Sequence, residues 1–391
     1  MVQGLRIEFQ SIPFQKEAPL QCVKQSEMDV ISTKIEKILH KGVTVATGHE
    51  KGEFISPIFI RPKKDGSFRL ILNLKRLNIH VEYQHFKMDT LRSAINRMRP
   101  NCYMASVDLK DAYYSVPIAY CDQKYLKSEW MGQFYKFTCF PNWLAFCPRK
   151  FTKLLKPVYA TLRQYDHLSS SYIDDSYLRG DDFNDWVTNV TATIKLLDSL
   201  GFVIHPLKSV LVPSQRITYL DFVLDSIEMK IYLTQDKAQK LKDACDKILA
   251  CSNPSIREVS SLLGLMTASF PAVMYGPLHF RLIDMDKTSA LQHAKGNFDI
   301  CMQLKDASLA DIKWWQDSVH STYNVVQHGK PEITMFTDAS SYGWGAVLGS
   351  TTSRGAWSTS EALHHINYLE MLAVHFALKA FLHTLKANML G

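Results

Sequence analysis

Two acidic sites in the sequence carry residue types that suit metal-dependent chemistry. Asp174 and Asp175 are adjacent, at the point where two short β-prone runs meet. Neighbouring carboxylates at a tight turn repel each other, and a bound cation relieves that repulsion. Asp108 follows the apolar, β-prone run 103–107 and would supply an opposing ligand. Asp108, Asp174 and Asp175 would then hold two Mg²⁺ ions about 4 Å apart, the arrangement that drives in-line phosphoryl transfer.

The Asp-Asp pair also has an ordinary structural explanation. Aspartate is frequent in tight turns, where its side chain bonds the local backbone. For the pair alone that explanation is the better one. The presence of Asp108 and the pattern of the rest of the chain favour the metal site instead.

The same segments resemble known motifs. Residues 172–175 resemble the Y-x-D-D box of reverse transcriptases, and residues 108–114 resemble their first catalytic aspartate followed by a nucleotide-sensing aromatic. Wider matches over 56–78, 81–91 and 365–381 are most similar to polymerases of DIRS-like retroelements, with gypsy-like elements next. The resemblance covers most of the chain.

This resemblance implies an α+β fold: a right-hand polymerase with fingers, palm and thumb, followed by a partial ribonuclease H-like α/β unit. We expect an N-terminal extension and helix over 1–44, fingers and palm over 45–225, a thumb and connection over 226–330, and a truncated ribonuclease H-like domain over 331–391. The first 25 or so residues carry no motif and are expected to be loosely ordered.

Composition is compatible with this reading but does not require it. The chain has 391 residues, 46% of them hydrophobic and 21% charged, so we expect a globular protein of two or more domains. The net charge of +7 favours a polyanionic partner, although a basic soluble enzyme of another class would look the same.

Cysteine usage and hydropathy bear on the compartment. The eight cysteines show no C-x-x-C spacing, so neither a zinc ribbon nor a disulfide framework is indicated, and we expect a reducing intracellular compartment, cytoplasm or nucleus. The N-terminus lacks the apolar core of a signal peptide. The uncharged run 259–280 contains two prolines and is predicted to be a packed helix that stops near Phe270, not a membrane span.

A basic hairpin is predicted within 54–78, where two β-prone runs flank an Asp-Gly turn. Without the downstream motifs, a solvated charged hairpin would be the better explanation. By the resemblance it is the fingers hairpin that folds over the incoming nucleotide, and Tyr113 lies beneath the sugar and excludes a 2′-hydroxyl. The resemblance assigns the nucleotide-binding role to Lys63, Lys64, Arg69, Tyr113 and Asn142.

Two further roles follow from the resemblance. Lys208 matches a position where lysine protonates the leaving pyrophosphate, which makes it a fourth catalytic candidate beside the three aspartates. The hairpin that grips the primer end is matched by Tyr219, Leu220, Asp221 and Phe222.

The sequence departs from the family pattern at two positions that are normally glycine. Trp143 adds an indole and is expected to lose access to positive φ, so that either the loop moves or nucleotide binding is blocked. Asp221 would repel a primer phosphate. Both departures point to impaired activity.

The C-terminal segment resembles the opening of a ribonuclease H domain, whose metal site would take Asp338 and Glu370. That site needs further carboxylates on a later strand and helix, and the chain ends at Gly391 before them. We therefore expect a catalytically silent remnant.

The resulting hypothesis is an RNA-directed DNA polymerase of a retrotransposon that uses two Mg²⁺ ions, with Mn²⁺ as an alternative. Its partners would be an RNA or DNA template with a primer and deoxynucleoside triphosphates, without a membrane. The first alternative is a catalytically impaired nucleic-acid-binding relic of such a polymerase. The second is a two-metal nuclease centred on Asp338 and Glu370.

Overall fold

The computed structural model describes residues 4–63, 66–326 and 333–383. The chain divides into two compact units, Met1–Val326 and Gln327–Gly391. The larger unit contains two hydrophobic cores, and the smaller unit has its own small clusters. Lys64, one of the predicted nucleotide-binding residues, lies outside the described residues.

The first core of the larger unit is built around a four-stranded antiparallel sheet, with a three-stranded sheet and a two-stranded hairpin beside it. The elements over 28–214 are α1 (Met28–His40), β1 (Thr44–Thr47), β2 (Ile58–Pro62), β3 (Phe68–Leu72), α2 (Lys75–Asn78), α3 (Leu91–Ile95), β4 (Tyr103–Asp108), β5 (Lys127–Trp130), β6 (Gln133–Phe137), α4 (Cys147–Gln164), β7 (Leu168–Tyr172), β8 (Asp175–Gly180), α5 (Phe183–Ser199) and β9 (Val210–Ser214). Of these, α3 buries Ala94 in the second core. The strand orders are β7-β8-β4-β9, β1-β6-β5 and β2-β3.

The four-stranded sheet is held by the helices that pack on it. Helix α4 packs against β7, and α5 packs against β8. Val107 on β4 and Leu178 on β8 are fully buried, which fixes the register of the two strands. Helix α5 begins where the Asp182 side chain accepts a hydrogen bond from the Asp185 backbone N–H.

The second core brings together a small antiparallel sheet and four helices. Its elements are β10 (Arg216–Tyr219), β11 (Phe222–Asp225), β12 (Lys230–Leu233), α6 (Gln235–Leu249), α7 (Ile256–Ser269), α8 (Arg281–His293), α9 (Asp306–Ser318) and β13 (Asn324–Val325). Helix α7 ends at Ser269, next to the predicted stop at Phe270. Its cap is Ser255, whose hydroxyl accepts from the Glu258 N–H.

The N-terminal segment is tied to the first core, which contradicts the expectation of loose order. Leu5 forms a bridge with Ile118. The side-chain amide of Gln21 donates to the Ile58 carbonyl at 2.5 Å and accepts from the Ile58 N–H at 2.9 Å. The segment therefore extends across the start of β2, because its side chains satisfy backbone groups there.

The smaller unit is a three-stranded antiparallel sheet with a helix on one face. Its elements are β14 (Met335–Ala339), β15 (Gly343–Leu348), β16 (Thr351–Ala356) and α10 (Ile366–Ala380), with strand order β14-β15-β16. Leu369, Ala373 and Ala377 of α10 are buried, while Phe336 is 67% exposed. The sequence predicted two of these strands and the helix, but not β16.

Membrane insertion has no structural support in the described part of the chain. None of the helices there combines the length and the apolar character that crossing a bilayer requires.

Candidate active site

Strand pairing brings the predicted catalytic aspartates to one end of the four-stranded sheet. Asp108, the last residue of β4, lies directly opposite Asp175, the first residue of β8. The Leu109 N–H donates to the Asp174 carbonyl at 2.9 Å. Ile173 and Asp174 form the two-residue turn between β7 and β8, and Ile173 has φ +54°. A β-branched residue rarely adopts positive φ, so this turn is strained, as is common at functional sites.

These carboxylates are half-buried and repel one another. Burial raises the pKa of Asp174, and the Asp108 carboxylate adds to that rise. Burial, followed by repulsion from Asp174 and Asp108, raises the pKa of Asp175 to about 6. The Lys208 ammonium lies 3.6 Å from an Asp108 carboxylate oxygen. One exposed lysine thus faces three crowded acids, an arrangement that favours further positive charge.

The donor set suits a hard divalent cation, since carboxylate oxygens are the ligands that Mg²⁺ prefers. The side chains as they stand do not form a closed cage: in the described ranges, no group of three His, Cys, Asp or Glu side chains is arranged to hold one ion. The predicted cage is therefore not preformed. Two observations still favour bound cations. The carboxylates share one edge of β4 and β8, and they repel one another.

Tyr113 and Asn142 lie near this edge. Tyr113 is half-buried, with its ring 5.4 Å from the Phe151 ring in an edge-on arrangement. Burial raises the pKa of the Tyr113 phenol well above its usual value, and the Asp174 charge contributes to the rise. The Asn142 amide donates to the Tyr114 hydroxyl at 3.5 Å.

An open cleft of about 1120 Å³ lies beside the β2–β3 hairpin and reaches Lys208. The described residues that line it include no acid. The cationic lining residues are Arg61, Lys63, Arg69, Lys75 and Lys208. The remaining walls carry apolar side chains together with Asn73, Asn78 and Trp143. A cleft of this kind suits an anionic ligand with an aromatic or apolar part.

Trp143 corrects one sequence-based expectation. Its backbone has φ +76°, the conformation that glycine favours, although the residue is tryptophan. The Asn78 side chain donates to the Trp143 carbonyl at 2.9 Å and accepts from the Ala145 N–H at 2.9 Å. The indole is 64% exposed and lines the cleft. The loop therefore keeps a glycine-like backbone despite the larger side chain.

The hairpin predicted to grip the primer is a two-residue turn between β10 and β11. Leu220 and Asp221 have φ +48° and +62°, so Asp221 also keeps a glycine-like backbone. Tyr219 and Phe222 are buried, and the Lys237 ammonium lies 3.7 Å above the Phe222 ring. Asp221 is close enough to Asp175 to raise its pKa.

Sequence reasoning missed several partners that only the fold supplies. Arg149 and Lys150, near the start of α4, both pair with Glu8. Asp111 pairs with Lys41, at the end of α1. These pairs join residues at least 70 positions apart, so no local pattern signalled them.

The two residues assigned to a ribonuclease H site lie in the smaller unit. Asp338 is on β14 and exposed, and Glu370 is on α10 and half-buried. Within 333–383 no hydrogen bond or ion pair joins them. Helix α10 packs against β14, so the two residues lie on elements that are in contact.

Comparisons with known proteins agree with this geometry. Residues 61–224 match the family model described as reverse transcriptase (RNA-dependent DNA polymerase). The matched range includes Asp108, Asp174, Asp175 and Lys208. Over 99% of its length it is 20% identical to the Tf2-3 and Tf2-4 transposon polyproteins of Schizosaccharomyces pombe. It spans 28% of the length of those relatives.

Solved structures share the fold. The foamy viral protease-reverse transcriptase in complex with double-stranded DNA superposes with a TM-score of 0.71, at 16% identity, over 97% of this chain and 64% of that chain. A complex of the same viral enzyme with an RNA/DNA hybrid gives a TM-score of 0.65 over 96% and 50% of the two chains. The reverse transcriptase domain thus has the palm-type polymerase fold with mixed helices and strands.

Proposed function

We propose that the protein is the RNA-directed DNA polymerase of a gypsy-like or DIRS-like retrotransposon, transferring nucleotides to a primer 3′-hydroxyl. The observation that carries the proposal is the register of β4 and β8, which sets Asp108 beside Asp175. A cleft whose described lining residues are cationic or uncharged adjoins that edge, and Lys208 belongs to both. A nucleotide polymerase needs this pairing of a carboxylate edge with a triphosphate site.

Each part of the site has a role in this reaction. Asp108 and Asp174 would hold two Mg²⁺ ions with Asp175 in support, and Mn²⁺ is an alternative. The bound ions lower the pKa of the primer hydroxyl and neutralise the developing charge on the phosphates. Lys63 and Arg69 bind the triphosphate, and Lys208 delivers a proton to the leaving pyrophosphate.

The nucleic-acid partners follow from the fold and the charge. The similar viral enzyme is described in complex with double-stranded DNA and with an RNA/DNA hybrid. We propose that this chain binds an RNA or DNA template with its primer, with Tyr219–Phe222 at the primer end and Tyr113 beneath the incoming sugar. A net charge of +7 favours such partners. An intracellular setting, in cytoplasm or nucleus, belongs to the same proposal.

Two finer assignments are part of the proposal. The matches over 56–78, 81–91 and 365–381 support a DIRS-like subtype, whereas the similar curated proteins are Tf2 polyproteins. The sheet and helix of 333–383 support a ribonuclease H-like unit, and Asp338 and Glu370 would be its acidic residues.

Primer extension on poly(rA)·oligo(dT) with Mg²⁺ tests the proposal. Wild type should extend the primer, and Asp174→Asn should serve as the inactive blank. Equal signal from the two proteins would reject the polymerase and leave the nucleic-acid-binding relic. Cleavage of an RNA/DNA hybrid that depends on Asp338, without added nucleotide, would favour the nuclease.

A further inference from the structure

Trp143 stands out among the residues of the cleft. A tryptophan side chain is usually packed, because its large ring gains most from burial. Here the indole is 64% exposed, at the wall of a cleft rich in cations. The backbone that carries it is held at φ +76°, a conformation that costs an L side chain free energy.

The Asn78 side chain ties the Trp143 loop to α2. The Asn78 carboxamide uses both of its ends, donating to the Trp143 carbonyl and accepting from the Ala145 N–H, each at 2.9 Å. Asn78 itself follows directly on Leu77, which is fully buried, and is the last residue of α2. The backbone that carries the indole is thus anchored to α2 at two points.

The residues that line the cleft supply two kinds of contact, positive charge and an aromatic surface. Lys63, Arg69 and Lys208 supply positive charge without any acid among the described lining residues. Trp143 supplies an exposed indole face. A nucleoside triphosphate has the matching halves, three phosphates and a flat base, and bases stack well on indole.

We propose that Trp143 is a stacking platform for the base of the incoming nucleotide, and that Asn78 is the positioning residue that holds it. The inference rests on the proposed function and reverses the expectation that tryptophan here blocks the site. The residue in place of glycine would then strengthen nucleotide binding. Purines, with the larger stacking area, should gain more than pyrimidines.

Nucleotide affinity measured on a primer with a dideoxy terminus tests the platform, because chemistry cannot proceed there. Trp143→Ala and Trp143→Gly should weaken dATP binding by about tenfold to a hundredfold, the range for losing one base–aromatic stack. Trp143→Phe should stay within about threefold of wild type. Tyr165→Ala, which removes an exposed aromatic outside the cleft, is the matched control and should change nothing.

Two probes separate base stacking from other effects. Inorganic tripolyphosphate lacks a base, so its competition should be equal in wild type and Trp143→Ala. An abasic template removes the opposing base, and the Trp143 effect should persist on it. Tighter dATP binding by Trp143→Gly, an equal loss for tripolyphosphate, or disappearance of the effect on the abasic template would each overturn the platform.

Asn78→Ala tests the positioning role, since it removes both the donor to the Trp143 carbonyl and the acceptor for the Ala145 N–H without adding charge to the cleft. It should raise the KM for dATP severalfold with little change in kcat, and it should have no further effect in the Trp143→Ala background. An equal loss in both backgrounds would show a merely structural role. A wild type that binds dATP through Trp143 but cannot extend a primer would reject the polymerase and keep the platform.

Discussion

Two charged clusters in the larger unit show how the same residue types are used differently. At the end of β4 and β8, three aspartates crowd together and Lys208 is the cation closest to Asp108. In the β5–β6 sheet, Lys127 is fully buried and bonds Glu53 at 2.6 Å, while Lys136 lies 3.2 Å from Glu50. The first cluster has excess negative charge, and the second is balanced.

The pKa values of the carboxyl groups shift in opposite directions in the two clusters. Burial and repulsion raise the pKa of Asp175 to about 6. Burial also raises the pKa of Glu53, but hydrogen bonds from Lys127 and His49 outweigh it and leave the pKa below its ordinary value. Carboxylates that are buried without enough cations therefore point to ligand binding, and carboxylates that are buried with lysines point to stability.

The strongest test of this contrast is removal of one crowded charge. Asp174→Asn should slow primer extension by about 10³-fold or more, since several kcal/mol of charge stabilisation is lost. Its free energy of unfolding should be unchanged or slightly higher, because repulsion falls. Asp338→Asn, an exposed aspartate on a strand of the smaller unit, is the matched control. Extension by Asp174→Asn at the wild-type rate would contradict the assignment.

The balanced cluster should behave in the opposite way. Lys127→Met leaves Glu50 and Glu53 without their buried partner, which should lower the free energy of unfolding by about 3 kcal/mol. Urea unfolding followed by tryptophan fluorescence would measure the shift. Extension per folded molecule should be retained. Adding Glu53→Gln should restore part of the loss, and a double variant less stable than Lys127→Met would count against a paired cluster.

The pH dependence of the balanced cluster gives a smaller effect. The pKa of Glu53 is lower in the folded protein than its ordinary value of 4.5. Its contribution is therefore complete above pH 4.5 and is lost as the pH falls through the folded pKa. Glu53→Gln should cost about 2 kcal/mol at pH 7 and progressively less in acid. Unfolding midpoints across this range would check it, and a difference that grows in acid would contradict it.

Local patterns predicted the elements that carry the site. The β-prone run 103–107 predicts β4, and apolar residues at helical spacing over 27–40 and 185–200 predict α1 and α5, because one face of each helix is buried. Strand β16 was missed since its sequence, Thr-Thr-Ser-Arg-Gly-Ala, has no apolar face and is specified by its partner β15.

Tertiary contacts account for what the sequence could not predict. Because tryptophan rarely adopts positive φ, we expected Trp143 to lose that conformation. Two hydrogen bonds with Asn78, 65 residues away in the sequence, nevertheless hold the Trp143 loop in it. The pairing of Glu8 with Arg149 spans 141 positions and leaves no local signal. The three aspartates were predicted because the strands that carry them have a recognisable sequence pattern. The groups that hold loops in place have no such pattern.

Asp221 interacts both with a crowded aspartate and with a lysine, and its substitution gives the smallest predicted effect. Its charge raises the pKa of Asp175 and also favours the charged form of Lys237, whose pKa is lowered by burial. A carboxylate at the primer turn should repel the primer phosphates. Asp221→Asn should therefore tighten primer–template binding by about fivefold, the size of one exposed charge interaction.

Titration of primer–template binding at two salt concentrations would test this. The gain from Asp221→Asn should shrink at the higher concentration, because salt screens exposed charges. Asp198→Asn, an exposed aspartate at the end of α5, should leave binding unchanged if position rather than net charge matters. Weaker binding by Asp221→Asn would contradict the prediction. It would mean that the attraction between Asp221 and Lys237 matters more than the repulsion between Asp221 and the primer.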